Sequence, residues 1–148
     1  MSESGPEPDA LRGDPRVFWV EDVLRYSDMD TNGHINNAVF TVLCESGRVA
    51  FFRERWPADP DRFFVIARLE IDFRRELTYP GRVATATWLA RLGRTSFGLR
   101  QALYDGDGQL AATASSVGVT MAQSTRRPFP LSVETRETLE PQLRPDAG

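Results

Sequence analysis

The residue types best suited to chemistry fall within ten positions of this chain, from Asp28 to Asn37. This segment holds the only histidine, His34, together with two aspartates and three asparagines. A carboxylate, an imidazole and several amides can supply a base or nucleophile, a polarising group and orienting hydrogen bonds for attack on a carbonyl. Asp and Asn also favour turns and helix N-caps, so a purely structural role for the segment stays open.

A long helix is predicted directly after this segment. Apolar residues recur at spacings of three and four from Phe40 to Phe51, which predicts an amphipathic helix over about Asn37 to Arg55, with Pro57 beyond its end. Asn36 or Asn37 is the predicted N-cap. The first N–H groups of a helix have no acceptor within it and lie at the positive end of its dipole, so they can bind an oxyanion. This arrangement favours acyl-transfer chemistry.

Strands are predicted on both sides of the helix. β-Branched and aromatic residues mark a strand over residues 17–26, and alternating apolar and charged residues mark another that ends at Phe73. Three more strands are predicted over Arg82 to Leu92, Thr95 to Tyr104 and Gln109 to Met121, with the turn Asp105-Gly-Asp-Gly108 before the last.

This order predicts an α+β fold, in which a curved antiparallel β-sheet wraps one long central helix. A second apolar flank of the helix, formed by Val39, Val42 and Val49, agrees with contacts on more than one side. Such a sheet leaves a strand edge free, and pairing of edges between two copies is a common remedy. The sequence therefore predicts a homodimer, and a homotetramer stays open.

The length of 148 residues suits one domain. Its folded part is predicted over residues 16–140. Residues 1–15 are expected to be a disordered N-terminal tail and residues 141–148 an unpacked C-terminal tail, because both are rich in Pro and acidic residues. The chain shows no signal peptide and no membrane-spanning run, so we expect a cytoplasmic protein without membrane contact.

Composition argues against several kinds of site. The net charge of −3 gives no basic excess for nucleic acid, and all 18 basic residues are Arg, which excludes a catalytic lysine. Cys44 is the only cysteine, so no intrachain disulfide is expected. It lies on the apolar helix face, where an inert buried thiol is expected rather than a nucleophile. With one histidine, no metal site is predicted, since zinc needs three or four ligands.

The segment from Tyr26 to Asn37 carries the pattern D-x-D-x-x-G-H-x-N-N, and the helix after it contains Leu43-Cys-Glu-Ser-Gly-Arg48. These features resemble the hotdog-fold thioesterases, above all the 4-hydroxybenzoyl-CoA thioesterase-like and acyl-ACP thioesterase branches. The resemblance covers about Val17 to Leu131, and the pattern is fairly specific to this superfamily. It implies a thioester hydrolase acting on acyl-CoA or acyl-ACP, with coenzyme A as part of the substrate and no further cofactor. The hotdog fold is a long helix wrapped by an antiparallel sheet, as the periodicity also predicts.

Site residues follow from the resemblance by position. Asp30 matches the catalytic carboxylate, acting as nucleophile or as base for the attacking water, whereas Asp28 is expected to be structural. The N–H of Asn37 matches the donor that polarises the thioester carbonyl. Asn32 and His34 match the residues that orient substrate and water in acyl-ACP thioesterases.

Glu45 matches an acidic helix residue of the same branch. Structural alternatives stay open for three of these residues. Asp30 can cap a turn, His34 can make a hydrogen bond at the helix entry without a role in turnover, and Glu45 can pair with Arg48 one turn on.

Coenzyme A carries phosphates, and in this fold the pantetheine and nucleotide lie near the dimer interface along strand edges and loops. The candidates for binding them are Arg91, Arg94, Thr95, Ser96, Arg126 and Arg127. An exposed arginine is usually a solvated surface group, and no Gly-rich phosphate cradle supports these candidates.

Two other functions stay open. Hotdog hydratases and dehydratases also use an Asp and a His, but these lie farther apart in sequence and the Asn-Asn pair is not typical of them. A non-catalytic acyl-binding module would use the same pocket without turnover. The acyl group is not readable, because Phe40, Phe51, Phe52, Phe64 and Trp88 can either line the pocket or fill the core.

Overall fold

The computed structural model describes residues 5–147. Its elements are α1 (Pro8–Arg12), β1 (Phe18–Val23), α2 (Asn37–Arg55), β2 (Arg62–Phe73), β3 (Arg82–Leu92), β4 (Ser96–Tyr104), β5 (Leu110–Ala122) and α3 (Val133–Leu139). Short 3-10 helices lie at Tyr26–Asp28 and Glu140–Gln142. The predicted long helix is confirmed at both ends, and so is the order of one strand, the helix and four strands.

The five strands form one antiparallel sheet in the order β1-β3-β4-β5-β2, which leaves β1 and β2 at the edges. The α+β prediction is confirmed. β2 begins at Arg62, earlier than the alternating pattern indicates. The register shifts between Ile66 and Arg68, and such a shift interrupts the period of two that marks a strand in the sequence.

α2 lies across one face of the sheet, over β1 and β3. Gly47 allows the closest approach. A Cβ at this position would lie 2.7 Å from Nε2 of Gln101 and 2.9 Å from Oγ1 of Thr87. The same Gln101 Nε2 donates to the Cys44 carbonyl at 2.8 Å. Glycine is therefore required here by contact between helix and sheet, and the helix position relative to β4 is fixed by a hydrogen bond.

Two of the three valines of the predicted second apolar flank of α2 are not covered within residues 5–147. Val42 and Val49 are 58% and 48% exposed, whereas Val39 packs against the core. The sheet contacts α2 from one side only, so the two outer valines point away from it. Neither α2 nor any other helix within residues 5–147 has the length and hydropathy needed to cross a membrane.

The N-terminal segment packs, against the prediction of a disordered tail over residues 1–15. Leu11 of α1 is fully buried in a cluster with Val17, Trp88 and Tyr104, on the face of the sheet opposite α2. Its polar composition indicated an unpacked tail, but one leucine on a short helix is enough to anchor the segment. Residues 1–4 lie outside the described residues.

The C-terminal segment also packs, against the prediction for residues 141–148. Leu143 pairs with Leu89 as a parallel bridge, and the Arg144 N–H donates to the Leu89 carbonyl at 2.8 Å. Backbone pairing of this kind needs no apolar run and leaves no compositional signal. Residue 148 lies outside the described part of the chain.

Candidate active site

The segment between β1 and α2 forms a tight reversal of the chain. Met29 and Ile35 pair as an isolated antiparallel bridge. Inside this bridge the Asp30 N–H donates to the His34 carbonyl at 2.8 Å, and the Gly33 N–H donates to the Asp30 carbonyl at 3.2 Å. Gly33 has a φ of 77°, which other residues rarely adopt. The reversal therefore places Asp30 and His34 side by side.

Asp28 and Asn36 hold the two ends of the reversal. Asp28 is 8% exposed, and its carboxylate accepts from the backbone N–H of Arg25 at 2.8 Å and from its guanidinium at 3.2 Å. The Asp28 carbonyl accepts from the Asn36 N–H at 2.9 Å. Asn36 Oδ1 then caps α2 by accepting from the Ala38 N–H at 2.9 Å. Of the two predicted N-caps, Asn36 is the one that the structure uses.

One backbone N–H in the first turn of α2 has no hydrogen-bond acceptor within residues 5–147. The Ala38 N–H donates to Asn36 Oδ1 and the Val39 N–H donates to the Asn36 carbonyl, each at 2.9 Å. The Asn37 N–H has no acceptor within residues 5–147. It lies at the positive end of the helix dipole, where an oxygen with partial negative charge is stabilised.

A cleft of about 590 Å³ opens at this end of α2. Four of the five predicted catalytic residues line it, namely Asp30, Asn32, His34 and Asn37. The other lining residues are Ile35, Asn36, Phe40, Phe73, Arg74, Arg75 and Glu76. The reversal, the helix start and the end of β2 thus contribute to one concave surface.

Asp30 both caps the turn and faces the cleft. Its Oδ1 accepts from the Asn32 N–H at 2.8 Å, the turn-capping bond that the structural alternative anticipates. Its side chain also lines the cleft and is only partly buried. The turn bond fixes the carboxylate, so capping the turn and facing the cleft are compatible in this structure.

His34 is paired with a carboxylate that the sequence did not indicate. Its Nε2 lies 3.0 Å from Oε2 of Glu76, with side chains 37% and 70% exposed. Backbone pairing holds the two segments together, because the Ile35 N–H donates to the Leu77 carbonyl at 2.8 Å. Glu76 follows Arg74 and Arg75 at the end of β2, a charged stretch typical of a solvated turn, so no local pattern distinguishes it.

Glu45 is not brought to the cleft. It lies eight residues after Asn37, about 12 Å along the helix axis, and is exposed. It lines a shallow groove on the outer flank of α2 with Val42, Val49 and Arg53. The alternative pairing with Arg48 is not formed either, because Arg48 is buried against the sheet and donates to Gln101 Oε1 at 3.5 Å.

The predicted coenzyme A residues lie at the opposite end of the sheet from Asp30. Along β5, Ala112 pairs with Phe73 beside the cleft and Val119 pairs with Ser96. Seven positions of a strand span about 24 Å. Within one chain, Arg91, Arg94, Thr95 and Ser96 therefore do not contact a ligand group bound beside Asp30.

Arg91 instead takes part in an arginine-rich groove on the sheet face opposite α2. Its guanidinium donates to Ser96 Oγ at 3.3 Å, and the groove is shared with Arg68 and Arg100. Arg126 and Arg127 lie in the exposed segment after β5, where the Arg126 guanidinium stacks 4.5 Å from the Phe63 ring centroid.

Cys44 faces the core and is fully buried. Burial raises the pKa of Cys44 to about 11, which disfavours the thiolate that a nucleophile requires. Among residues 5–147, no three side chains of His, Cys, Asp or Glu are grouped so as to hold a metal ion.

A family model described as the thioesterase-like superfamily matches residues 24–139, from the end of β1 to the end of α3. The chain belongs to this superfamily. The match includes the whole cleft. The prediction of a thioester hydrolase is confirmed at the level of the superfamily.

Solved structures of superfamily members share the fold. A predicted thioesterase from Bacillus stearothermophilus has a TM-score of 0.79 and 28% identity, covering 88% of this chain and 99% of that chain. A Thermus thermophilus thioesterase, solved with coenzyme A and Zn, has a TM-score of 0.73 and 30% identity, covering 82% and 96%. The predicted hotdog fold is confirmed.

Plant relatives are longer. The chain is 32% identical over 134 residues to a chloroplastic acyl-[acyl-carrier-protein] hydrolase of Cuphea viscosissima, covering 88% of this chain and 31% of that protein. A palmitoyl-acyl carrier protein thioesterase of Cuphea hookeriana is 33% identical over 86 residues, which are 56% of this chain and 20% of that protein. The chain thus spans less than a third of either plant protein.

Proposed function

We propose that this protein is an acyl thioesterase that hydrolyses acyl-CoA or acyl carrier protein thioesters in the cleft at the start of α2. The observation that carries the proposal is that the Asp30 carboxylate and Asn37, whose N–H has no acceptor within residues 5–147, line the same cleft. One group activates water or attacks the thioester, and the other stabilises the oxyanion.

Carbonyl polarisation is assigned to the start of α2. The thioester oxygen accepts a hydrogen bond from the Asn37 N–H, and the helix dipole stabilises the negative charge that develops on it. A donor of this kind contributes roughly 10²–10³-fold to kcat in other acyl-transfer enzymes. No cofactor is proposed besides the coenzyme A portion of the substrate.

Asp30 supplies the carboxylate. As a general base it takes a proton from water, which then attacks the carbonyl carbon and expels the thiolate. As a nucleophile it forms an acyl anhydride, which water hydrolyses in a second step. Label found in Asp30 after a single turnover in ¹⁸O-labelled water identifies the anhydride route, because it arises when water attacks the aspartyl carbon of the anhydride; the general-base route leaves all label in the acid product.

His34 and Asn32 are assigned to orientation of water and substrate. A neutral His34 that donates from Nε2 to Glu76 presents its Nδ1 as an acceptor for a water hydrogen. Glu76 acts through His34 as a positioning residue. Asn32 shares the cleft, and its backbone holds the Asp30 carboxylate.

A homodimer paired through β2 fits both the fold and the predicted coenzyme A residues. β2 is an edge strand with exposed Val65 and Ile66 near its middle. Antiparallel pairing of two β2 strands sets the Arg62 end of one copy beside the Phe73 end of the other. The partner's Ser96 end then approaches the cleft.

In that dimer, Arg91, Arg94, Thr95 and Ser96 of one copy bind the phosphates and pantetheine of a substrate hydrolysed by the other. A tetramer needs a second contact, for which the exposed Val42 and Val49 of α2 are available. Light scattering with size-exclusion chromatography measures the assembly. The predicted cytoplasmic location stays a prediction.

The test is thiol release from a panel of acyl-CoA and acyl-ACP substrates by wild type, Asp30→Ala and the control Asp107→Ala. Asp107 lies in the exposed hairpin between β4 and β5. We expect Asp30→Ala to lose roughly 10²–10⁴-fold in kcat and Asp107→Ala to match wild type. The mechanism is wrong if Asp30→Ala keeps the full rate.

Two further readouts on the same kind of substrate, enoyl-CoA absorbance and acyl-CoA binding, separate the other candidate functions. A hydratase changes the absorbance of an enoyl-CoA without releasing thiol, and a binding module binds acyl-CoA without either change. Either result with the wild-type protein would overturn the hydrolase proposal.

A further inference from the structure

The cleft has a small apolar wall that contains two phenylalanines, of which Phe73 is the exposed one. Phe40 lies one helical turn after Asn37, and Phe73 is the last residue of β2. Their rings meet edge to face, with centroids 5.1 Å apart and planes at 85°. Apart from Ile35, the other residues that line the cleft are polar or charged.

The wall lies close to the position expected for the acyl group of a bound thioester. A thioester whose carbonyl is held by the Asn37 N–H has its acyl carbons within one helical turn of Phe40, about 5 Å along the axis. Apart from Ile35, which is buried, the other residues that line the cleft carry polar or charged groups. We therefore expect the acyl group to pack against Phe73, whose exposed ring rests on Phe40.

The wall also closes the cleft against the protein interior. Phe40 is 2% exposed and belongs to a core cluster with Leu43, Leu103 and Ala112. Its ring is thus a fixed part of the core. Phe73 is 48% exposed and ends a strand, so removal of its ring uncovers Phe40 at the cleft but takes no fully buried side chain from the core.

The space around Phe73 is bounded by a small side chain. Ala112 is its partner across the β2–β5 ladder, and Ala114 pairs with Ile71 on the same face. A methyl group cannot fill the volume that the Phe73 ring occupies. Removal of the ring therefore lengthens the cleft between β2 and the start of α2.

We propose that Phe73 determines which acyl groups the cleft accepts, and that short acyl groups are the substrate class of the wild-type protein. This inference rests on the proposed thioesterase function for its kinetic readout. Longer chains meet the edge-to-face Phe40–Phe73 pair, which leaves their outer carbons without an apolar surface in the cleft while both rings are present.

The experiment compares kcat/KM for butyryl-CoA and decanoyl-CoA in wild type, Phe73→Ala and Phe73→Trp. We expect wild type to prefer butyryl-CoA. Phe73→Ala should raise the decanoyl-to-butyryl ratio at least about tenfold, the lower end of the discrimination that one methylene gives in an apolar pocket. Phe73→Trp should lower the ratio. A ratio is used because general loss of structure lowers both values alike.

Phe18→Ala is the matched control. Phe18 is a half-buried phenylalanine on the other edge strand, at the end distant from the cleft, with the Arg55 guanidinium 5.6 Å from its ring centroid. We expect this variant to lose stability and to keep the wild-type ratio. Thermal melts of all four proteins show whether each one folds.

Binding of S-butyl-CoA and S-decyl-CoA thioethers, measured by calorimetry, gives a readout that does not need hydrolysis. If wild type hydrolyses no thioester, the proposed function fails, yet the affinity ratio still tests the wall. The inference is overturned if Phe73→Ala leaves both the kinetic and the affinity ratios unchanged, or if wild type already favours the decyl compounds.

Discussion

The two ends of α2 differ in what their side chains contact. At the N-terminal end, the Asn37 N–H has no acceptor within residues 5–147, and polar side chains face an open cleft. At the C-terminal end, aromatic rings contact one another. Phe52 stacks on Phe64 with centroids 4.2 Å apart, and Trp56 lies 4.8 Å from Phe97.

The N-terminal end of α2 thus carries the residues suited to chemistry, and the C-terminal end carries residues that stabilise the fold. Buried aromatic rings each remove a large apolar area from water, which stabilises the folded state strongly. The polar cleft residues are partly or fully exposed and contribute little by burial, but their polar atoms remain available to a ligand. We therefore expect substitutions at the aromatic end to change the free energy of unfolding, and substitutions at the cleft end to change kcat.

The largest expected stability effect is that of Phe97→Ala. Phe97 is fully buried, contacts the rings of Phe52, Trp56 and Phe64, and lies over Gly118, where a Cβ would be 2.2 Å from the Phe97 ring. Truncation removes the central ring of this cluster and leaves a cavity. We expect a loss of about 3–5 kcal/mol in the free energy of unfolding, measured by urea denaturation.

Phe97→Ala should lower stability without changing catalysis in the molecules that stay folded. Molecules of Phe97→Ala that remain folded at low temperature should keep the wild-type kcat for thioester hydrolysis, after correction for the folded fraction. A drop of tenfold or more in corrected kcat would mean that the aromatic end also positions the cleft. The separation of the two ends would then be wrong.

A smaller effect is expected at the cleft end from Glu76→Gln. The His34–Glu76 pair is solvent-exposed, so its loss should change the melting temperature by a few degrees at most. If the pair orients His34 by about 1 kcal/mol in the transition state, kcat falls roughly fivefold. Glu137→Gln, an exposed residue of α3, is the control.

Coupling between the two residues distinguishes positioning from a separate contact. If Glu76 acts only through His34, Glu76→Gln should have no further effect in a protein that already carries His34→Gln. Additive losses in the double variant would show instead that Glu76 contacts substrate or water independently.

Most of the fold could be predicted from the sequence because the periodic patterns of its helices and strands are local. Helix spacing from Phe40 to Phe51 gave both ends of α2, and β-branched strands with Gly turns gave the sheet. The packed termini were not readable. A single buried leucine in α1 and a backbone bridge at Leu143 anchor them, and neither changes the composition of its segment.

The grouping of the candidate site residues could be predicted only for those that lie close together in sequence. Asp30, Asn32, His34 and Asn37 lie on one short segment, so their grouping follows from one reversal of the chain. Glu76 and Phe73 reach the cleft through the ladder between β2 and β5 and through the bond from Ile35 to Leu77. These contacts depend on tertiary pairing, which no spacing in the sequence encodes.

The smallest expected effect concerns Asp14, which joins the two termini. Its carboxylate accepts from Arg16 at 2.8 Å and from Arg144 at 3.0 Å, and the Arg16 guanidinium holds the pKa of Asp14 well below its ordinary range.

A carboxyl with a depressed pKa in the folded state stabilises the protein above its unfolded pKa of about 4, and this contribution is lost as the pH falls toward the folded value. We therefore expect Asp14→Asn to lower the free energy of unfolding by about 1 kcal/mol at neutral pH, and by less near pH 3, in urea denaturation. The value of kcat should not change, because this network is remote from the cleft. A difference that is equal at both pH values would show that the carboxylate charge contributes nothing and that the hydrogen-bond geometry alone holds the termini.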